Sequence, residues 1–419
     1  MKDIRDSFLK LAVVLCTGTL LNLASLAAAS DSNRPAADWR EQMRTLGTLH
    51  DEPNAQPFQK LKLYLAYMHQ FGSIQGKDRH DQDFRTQTEE IRRFWVGAQG
   101  DFLNHFSFKA VSQISNDRHN YPGGDRQFGH ETFRSANITY HAKEALGLKH
   151  WDRLSFGYGR RSGRMADEWQ RSATHINTLE RSPFSNKLWL SDREKGNPLA
   201  VWLKGTRGNQ TLDLALFSGT YHDWIGGWED SLTYYLSYER DLRNRTGLDR
   251  SDLWLSFYYQ DAALEEDRLA NGNEWASAFV TRWEEGPWAM HTTLGFGDNG
   301  AQSNTAREGR FWGLVLMPMY TLVDAQQKLV FRYQYQNSDQ PEGIRLNSRY
   351  ARLAEAKSDT LDLNSGRGDT HHSFYLGYNY YFNGDRLKLV SGIEWESLSS
   401  RNETLYKGWT LGTSLRILF

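Results

Sequence analysis

Cysteine is all but missing from this chain of 419 residues: the one copy, Cys16, sits in the first thirty. Neither a disulfide framework nor a thiolate metal site can hold the remainder together. Beyond residue 29 no run of about 18 apolar residues occurs, which excludes membrane-crossing helices. There is no charge excess: 50 Lys and Arg stand against 51 Asp and Glu, a net charge of −1, so no basic surplus points to nucleic acid. Prolines number only nine, and no repeat longer than a hairpin is visible. Cofactor signatures are lacking as well. Gly157-x-Gly159-x-x-x-Gly163 has the wrong spacing for a dinucleotide loop, and no helix follows it. His371 and His372 are adjacent, so on a strand they point to opposite sides and cannot share a metal. A hydrolytic triad is recognised by geometry, and the pair Ser277 and His291 is one of many that arise by chance. The expectation is a protein without cofactor, metal or covalent chemistry.

What the chain has in quantity is aromatic residues: 15 Trp, 20 Tyr and 21 Phe, alongside a mean hydropathy of −0.69. The two facts agree if apolar and polar side chains alternate. They do so at the C-terminus, where Trp409, Leu411, Thr413, Leu415, Ile417 and Phe419 fall on one face and Thr410, Gly412, Ser414 and Arg416 on the other. A strand gives that period and a helix does not. Leu387, Leu389, Ile393 and Trp395 repeat it, as do Phe374, Leu376, Tyr378, Tyr380 and Phe382, with Asn383-Gly384 between them as a hairpin turn. Apolar outside, polar inside and aromatic at the rims describe a strand with lipid on one side and water on the other.

The first residues read as an export signal. Lys2, Arg5 and Lys10 precede an apolar run over 11–26, and Ala27-Ala28-Ala29 offers a cleavage site. The expected division is a signal peptide over 1–29, a short periplasmic segment over 30–58 with a helical pattern at 37–49, and a transmembrane β-barrel over 59–419 in the bacterial outer membrane. Sixteen strands are expected, at 60–71, 91–100, 103–115, 131–142, 151–161, 199–205, 209–218, 231–240, 251–260, 273–284, 287–297, 310–321, 327–337, 370–382, 385–396 and 406–419. Their connections alternate short and long, with 72–90, 162–198, 338–369 and 397–405 among the long ones, as in antiparallel barrels of this class. The fold class is therefore all-β, a 16-stranded antiparallel barrel whose long loop after strand five folds inward.

Alternation also assigns facing. Leu61, Leu63, Leu65 and Tyr67 outside put Lys62 inside; Phe94, Val96 and Ala98 outside put Arg93 inside. By the same logic Lys109, Arg153, Arg161, Lys204, Arg332, Lys388 and Arg416 turn inward, with Asp213, Glu239 and Glu394 as the clear inward acids. The 162–198 loop adds Arg164, Arg171, Arg181, Lys187, Arg193 and Lys195 against Asp167, Glu168, Glu180, Asp192 and Glu194. Fixed cations in a narrow water-filled passage attract anions, and arginine's fork matches carboxylate and phosphate oxygens. The expected function is passive diffusion of small anions. Two alternatives stand beside it: a general channel for hydrophilic solutes including sugars, given the inward rings of Tyr64, Trp95 and Trp202, and a structural or adhesive barrel using the 338–369 loop.

Several stretches resemble the phosphate-selective porin family of the O/P type. They are Arg92-Arg93 followed by Phe94-Trp95-Val96-Gly97; Leu154-Ser155-Phe156-Gly157-Tyr158-Gly159-Arg160 with Leu179-Glu180-Arg181-Ser182; and the ending from Gly377-Tyr378 through Gly408-Trp409 to Leu415-Arg416-Ile417-Leu418-Phe419. The likeness spans most of 58–419 and is thinnest in the middle third; Arg160-Arg161-Ser162-Gly163 stands where the family usually has a proline-containing stretch. It implies a homotrimer in outer-membrane lipid, with Arg92 and Arg93 in the anion pathway and phosphate or polyphosphate among the solutes.

Overall fold

The computed structural model describes residues 39–117, 126–190, 197–218, 228, 231–262, 268–269, 272–322, 325–346 and 348–419. The expected signal peptide, and Asp192, Arg193, Glu194 and Lys195 of the long loop, lie outside these. Two units divide the chain at Leu46 and Gly47. In the first, a helix α1 (Trp39–Thr45) falls within the expected helical stretch and carries an Arg44–Glu41 ion pair of 2.9 Å.

The second unit is built on one large antiparallel sheet. Its strands are β1 (Phe58–Asp78), β2 (Asp83–Phe102), β3 (Phe106–Asp117), β4 (Arg126–His141), β5 (Arg153–Arg160), β6 (Leu199–Arg207), β7 (Gln210–Ser218) and β8 (Leu232–Asp241), followed by β9 (Arg250–Asp261), β10 (Trp275–Glu285), β11 (Trp288–Asp298), β12 (Arg310–Thr321), β13 (Gln327–Ser338), β14 (Thr370–Tyr381), β15 (Leu387–Ser400) and β16 (Glu403–Leu418). Each pairs with the next, and β16 pairs with β1 from Leu418↔Ala66 to Tyr406↔Asp78, closing the cylinder. A short strand, Thr48–Asp51, lies against the start of β1. The sixteen-stranded barrel is as expected. Closure leaves no free edge to seek another chain.

Facing follows the predicted alternation. Leu63, Val96, Phe156, Leu214, Phe257, Phe374, Trp409 and Leu411 are exposed on the outside, where only a hydrocarbon environment accommodates such a belt. No helix among the described residues is long and apolar enough to cross a membrane; the crossing is made by strands.

Two connections expected to be long loops are not. β1 and β2 run on to a turn of four residues, 79–82, and β15 and β16 meet at Arg401-Asn402. Here the alternation reverses sign. Ile74 is buried inside the cylinder while Ser73 and Gln75 face out. Polar side chains outside and an apolar one inside mark a wall that has risen above the lipid and is packed from within.

The packing comes from two inserted segments. The described part of the segment after β5, 161–190, folds inward as expected, with short helices α2 (Asp167–Gln170) and α3 (Pro183–Lys187). Ser182 caps α3 by accepting from the Ser185 N–H at 3.1 Å, and Pro183 takes the first helical position. The second segment, 339–369, carries α4 (Arg349–Ala356) and buries Tyr350, Ala351, Leu353 and Ala354. Phe184 and Leu188 of the first join Tyr350, Leu361 and Leu363 of the second, and Phe311, Val315, Met317 and Tyr375 of the wall, in one apolar cluster. Part of the barrel interior is thus a hydrophobic core.

Wall glycines seat these side chains. A Cβ at Gly313 would lie 2.5 Å from the Phe184 ring, and one at Gly72 only 2.0 Å from the Tyr350 ring. Gly72→Ala should therefore unseat α4. In trypsin digestion of the folded protein, cleavage at Arg349, Arg352 or Lys357 is expected in the variant and not in the parent, with Tyr350→Ala restoring protection to Gly72→Ala.

A basic opening beside the inserted loop

What holds the first inserted segment is charge. Arg332 on β13, fully buried, donates to Glu168 and to Glu394 on β15, each at 2.7 Å, and to the Glu180 carbonyl at 2.9 Å. Arg416 on β16 donates to the carbonyls of Ile176, Thr178 and Leu179 at 2.8, 2.9 and 2.9 Å. Lys388 on β15 donates to Asp385 at 2.6 Å and to the Ile176 carbonyl at 3.3 Å. Arg282 on β10 and His291 on β11 bind Asp167. Arg92 grips Glu180 with two bonds of 2.5 and 3.1 Å, while Gln70 on β1 donates to Glu180 at 2.9 Å and to the Tyr350 hydroxyl at 2.6 Å. The two inserted segments therefore meet at Gln70.

Arg92 owes its inward position to a bulge. Met68 pairs with Arg93 but His69 pairs with Ile91, so Arg92 is an extra residue in β2. Strict alternation would set it in the row of Phe94, Val96 and Ala98, on the lipid side. A second bulge does the same on β4: Val111 pairs with Ser135 and Ser112 with Phe133, leaving Arg134 over. Two neighbouring bulges thus add two arginines to the inner face.

Between the inserted segment and this part of the wall lies an opening of about 160 Å³. Lys109, Arg134, Arg164, Arg171 and Arg181 line it with Tyr64, Trp95 and Trp169, and no carboxylate does among the described residues. The Arg164 backbone is tied to the wall, its N–H 3.2 Å from the Tyr235 hydroxyl, which donates in turn to its carbonyl at 3.1 Å. Arg171 approaches a carboxylate only at 4.0 Å, that of Glu284. Arg181 donates to the carbonyls of Glu168 and Arg171 at 2.8 and 3.0 Å. Burial is the largest influence on its guanidinium and lowers it to about 9, against the pull of Glu168, so it stays charged at neutral pH.

The cations expected from the sequence therefore separate. Lys109, Arg164, Arg171 and Arg181 line the opening. Arg93 is half-buried beside Trp95, its guanidinium 5.8 Å from the ring. Arg161 is tied to Asp213 at 2.7 and 3.1 Å, and Lys204 lies across from the same carboxylate. Lys62 is half-buried toward the start of β1, and Arg153 is exposed at the start of β5. Arg92, Arg332, Lys388 and Arg416 clamp the inserted segment. Arg134 was missed. Its signal was present: an arginine in phase with the outward Ala136 and Ile138 would cost about 2–4 kcal/mol in lipid, which argues for a bulge.

Matching the chain against known proteins finds a fold without a sequence relative. No protein-family model matches it, and no curated protein matches it by sequence. Among solved structures it is similar to the outer membrane channel DcaP of Acinetobacter baumannii (12% identity, 86% of this chain and 97% of that one, TM-score 0.50). It is also similar to OprB of Pseudomonas putida (12%, 85% and 94%, TM-score 0.51) and to an anion-selective porin from Comamonas acidovorans (10%, 86% and 99%, TM-score 0.50). Similarity at this identity establishes the barrel fold.

Two outcomes follow from the clamp. Arg332→Ala leaves Glu168 and Glu394 buried without their counter-charge, which should cost about 3–5 kcal/mol, read as a lower melting temperature in detergent. The second concerns acid. Burial is the largest influence on the Glu168 and Glu180 carboxyls and raises both, but Arg332 with the Ser182 and Ser185 hydrogen bonds, and Arg92 with Arg93 and Gln70, together outweigh it and hold both below the ordinary 4.5. Their contribution to stability is complete above that value and is lost as pH falls through the depressed ones. Single-channel conductance should hold from about pH 7 to about pH 5 and change only in stronger acid; a transition centred near neutrality would assign control of the segment to other groups.

Proposed function

We propose that this protein is a passive outer-membrane channel through which small anions diffuse past lumen-facing Arg and Lys. The observation that carries the reading is the opening where Lys109, Arg134, Arg164, Arg171 and Arg181 converge without a carboxylate among the described lining residues. A cation-lined, partly desolvated constriction lowers the energy of a passing anion and raises that of a cation. Four arginines offer planar forks suited to phosphate and carboxylate oxygens, so phosphate and polyphosphate belong to the proposed solute class. The process needs no covalent step and no energy source.

We also read the assembly as a homotrimer in outer-membrane lipid. Supporting this, the outward row of β1 that begins Leu63, Leu65, Tyr67 continues into His69, which meets Glu89 of β2 at 3.0 Å. Close by on the outer face, Ser391 and Thr413 share a hydrogen bond of 2.8 Å. Polar pairs on that surface are better matched by a protein neighbour than by hydrocarbon.

Reversal potentials across a KCl gradient in planar bilayers test the selectivity. The parent should prefer chloride. Replacing Lys109, Arg134 and Arg164 together by Ala should move the potential toward zero, at about 1 kcal/mol or roughly fivefold in permeability ratio per charge removed. Added inorganic phosphate should reduce the chloride current of the parent and not of the triple variant. Cation preference in the parent would overturn the reading.

A further inference from the structure

The luminal aromatics carry an inference that rests on the anion-channel reading. Tyr64, Trp95 and Trp202 suggest platforms on which sugar rings could stack, but their faces are occupied by cations. The Lys109 ammonium stands 5.1 Å from the Tyr64 ring centroid. Arg134 and Arg93 stand 5.3 and 5.8 Å from that of Trp95, itself only 5% exposed. Arg161 stands 5.1 Å from Trp202. Trp169 is covered by Arg181 at 3.7 Å and stacked on Trp189 at 4.3 Å, the planes 11° apart.

We infer that Tyr64, Trp95 and Trp169 are positioning residues for selectivity, each holding a cation of the opening by cation–π contact. Lysine and arginine have long stems with many rotamers, and in a lumen that also contains Asp213 and Glu284 they would otherwise fold toward carboxylates. Arg161, over the Trp202 ring and bonded to Asp213 as well, shows what a carboxylate within reach does to such a cation. A ring attracts the cation without neutralising it, because its quadrupole carries no net charge. The polar edge of a guanidinium over a ring stays available to an anion. Selectivity then depends on ring faces as well as on the number of charges.

The test keeps every charge in place. Trp95→Leu and Tyr64→Leu should each lower the anion-to-cation permeability ratio at least twofold, read from reversal potentials of the full-length protein. Trp95→Phe and Tyr64→Phe, which keep a ring face, should stay close to the parent. Leu variants with a parental β-sheet spectrum and unchanged selectivity would overturn the inference, as would Phe variants as impaired as the Leu ones. A measurement on the parent alone does not depend on variants folding. With its ring faces covered, maltotriose at millimolar concentration should not block chloride current, and saturable block would overturn the assignment. The triple replacement of Lys109, Arg134 and Arg164 separates the two levels. If it leaves selectivity intact, the anion reading fails; if it abolishes selectivity while the Leu variants retain theirs, only the positioning role fails.

Discussion

The buried contact between Arg332 and its two carboxylates, Glu168 from the inserted segment and Glu394 from the wall, is the constraint from which the interior is built. A charge taken out of water must find partners close at hand, and removing one partner is far costlier than never having the pair. Glu168 also accepts from the Ser182 N–H and hydroxyl, so the clamp fixes the cap of α3 as well as the segment's path. With Arg416 and Lys388 holding carbonyls nearby, the segment lies against β13–β16. The opening is left beside the neighbouring strands β1–β4, across the β16–β1 seam.

That division gives the lumen two characters. One part is packed with hydrocarbon from two inserted segments; the other is lined with cations and, among the described residues, no carboxylate. Inward cations consequently do two kinds of work. Those facing the packed part anchor the inserted segments, and those facing the opening line it together with aromatic rings. Which kind a residue becomes depends on where the inserted segments settle, not on its own strand.

Strand number, closure and outward faces were legible because the hydrocarbon belt imposes a period of two wherever the wall meets lipid. The reading failed where the wall leaves the lipid. Across Ser73, Ile74 and Gln75 the pattern inverts, and a strand resembled a polar loop. The inward course of the described residues 161–190 was legible from the loop's length and charge. That of 339–369 was not, although Ile344, Leu346, Tyr350, Leu353, Leu361 and Leu363 are too apolar for a loop in water and could have signalled it. Arg92 and Arg134 show the limit of a strict two-residue period. A bulge shifts the phase by one, and in a charged position only the cost of the alternative gives it away.

The seam between β16 and β1 is where the ends of the chain's barrel meet, and both of its strands grip the contents: Arg416 holds the carbonyls of one inserted segment, and Gln70 touches both. An empty cylinder would leave these groups facing one another across a void. The filling therefore acts as a mandrel for the wall: the two strands that close the cylinder are each bonded to what lies inside it.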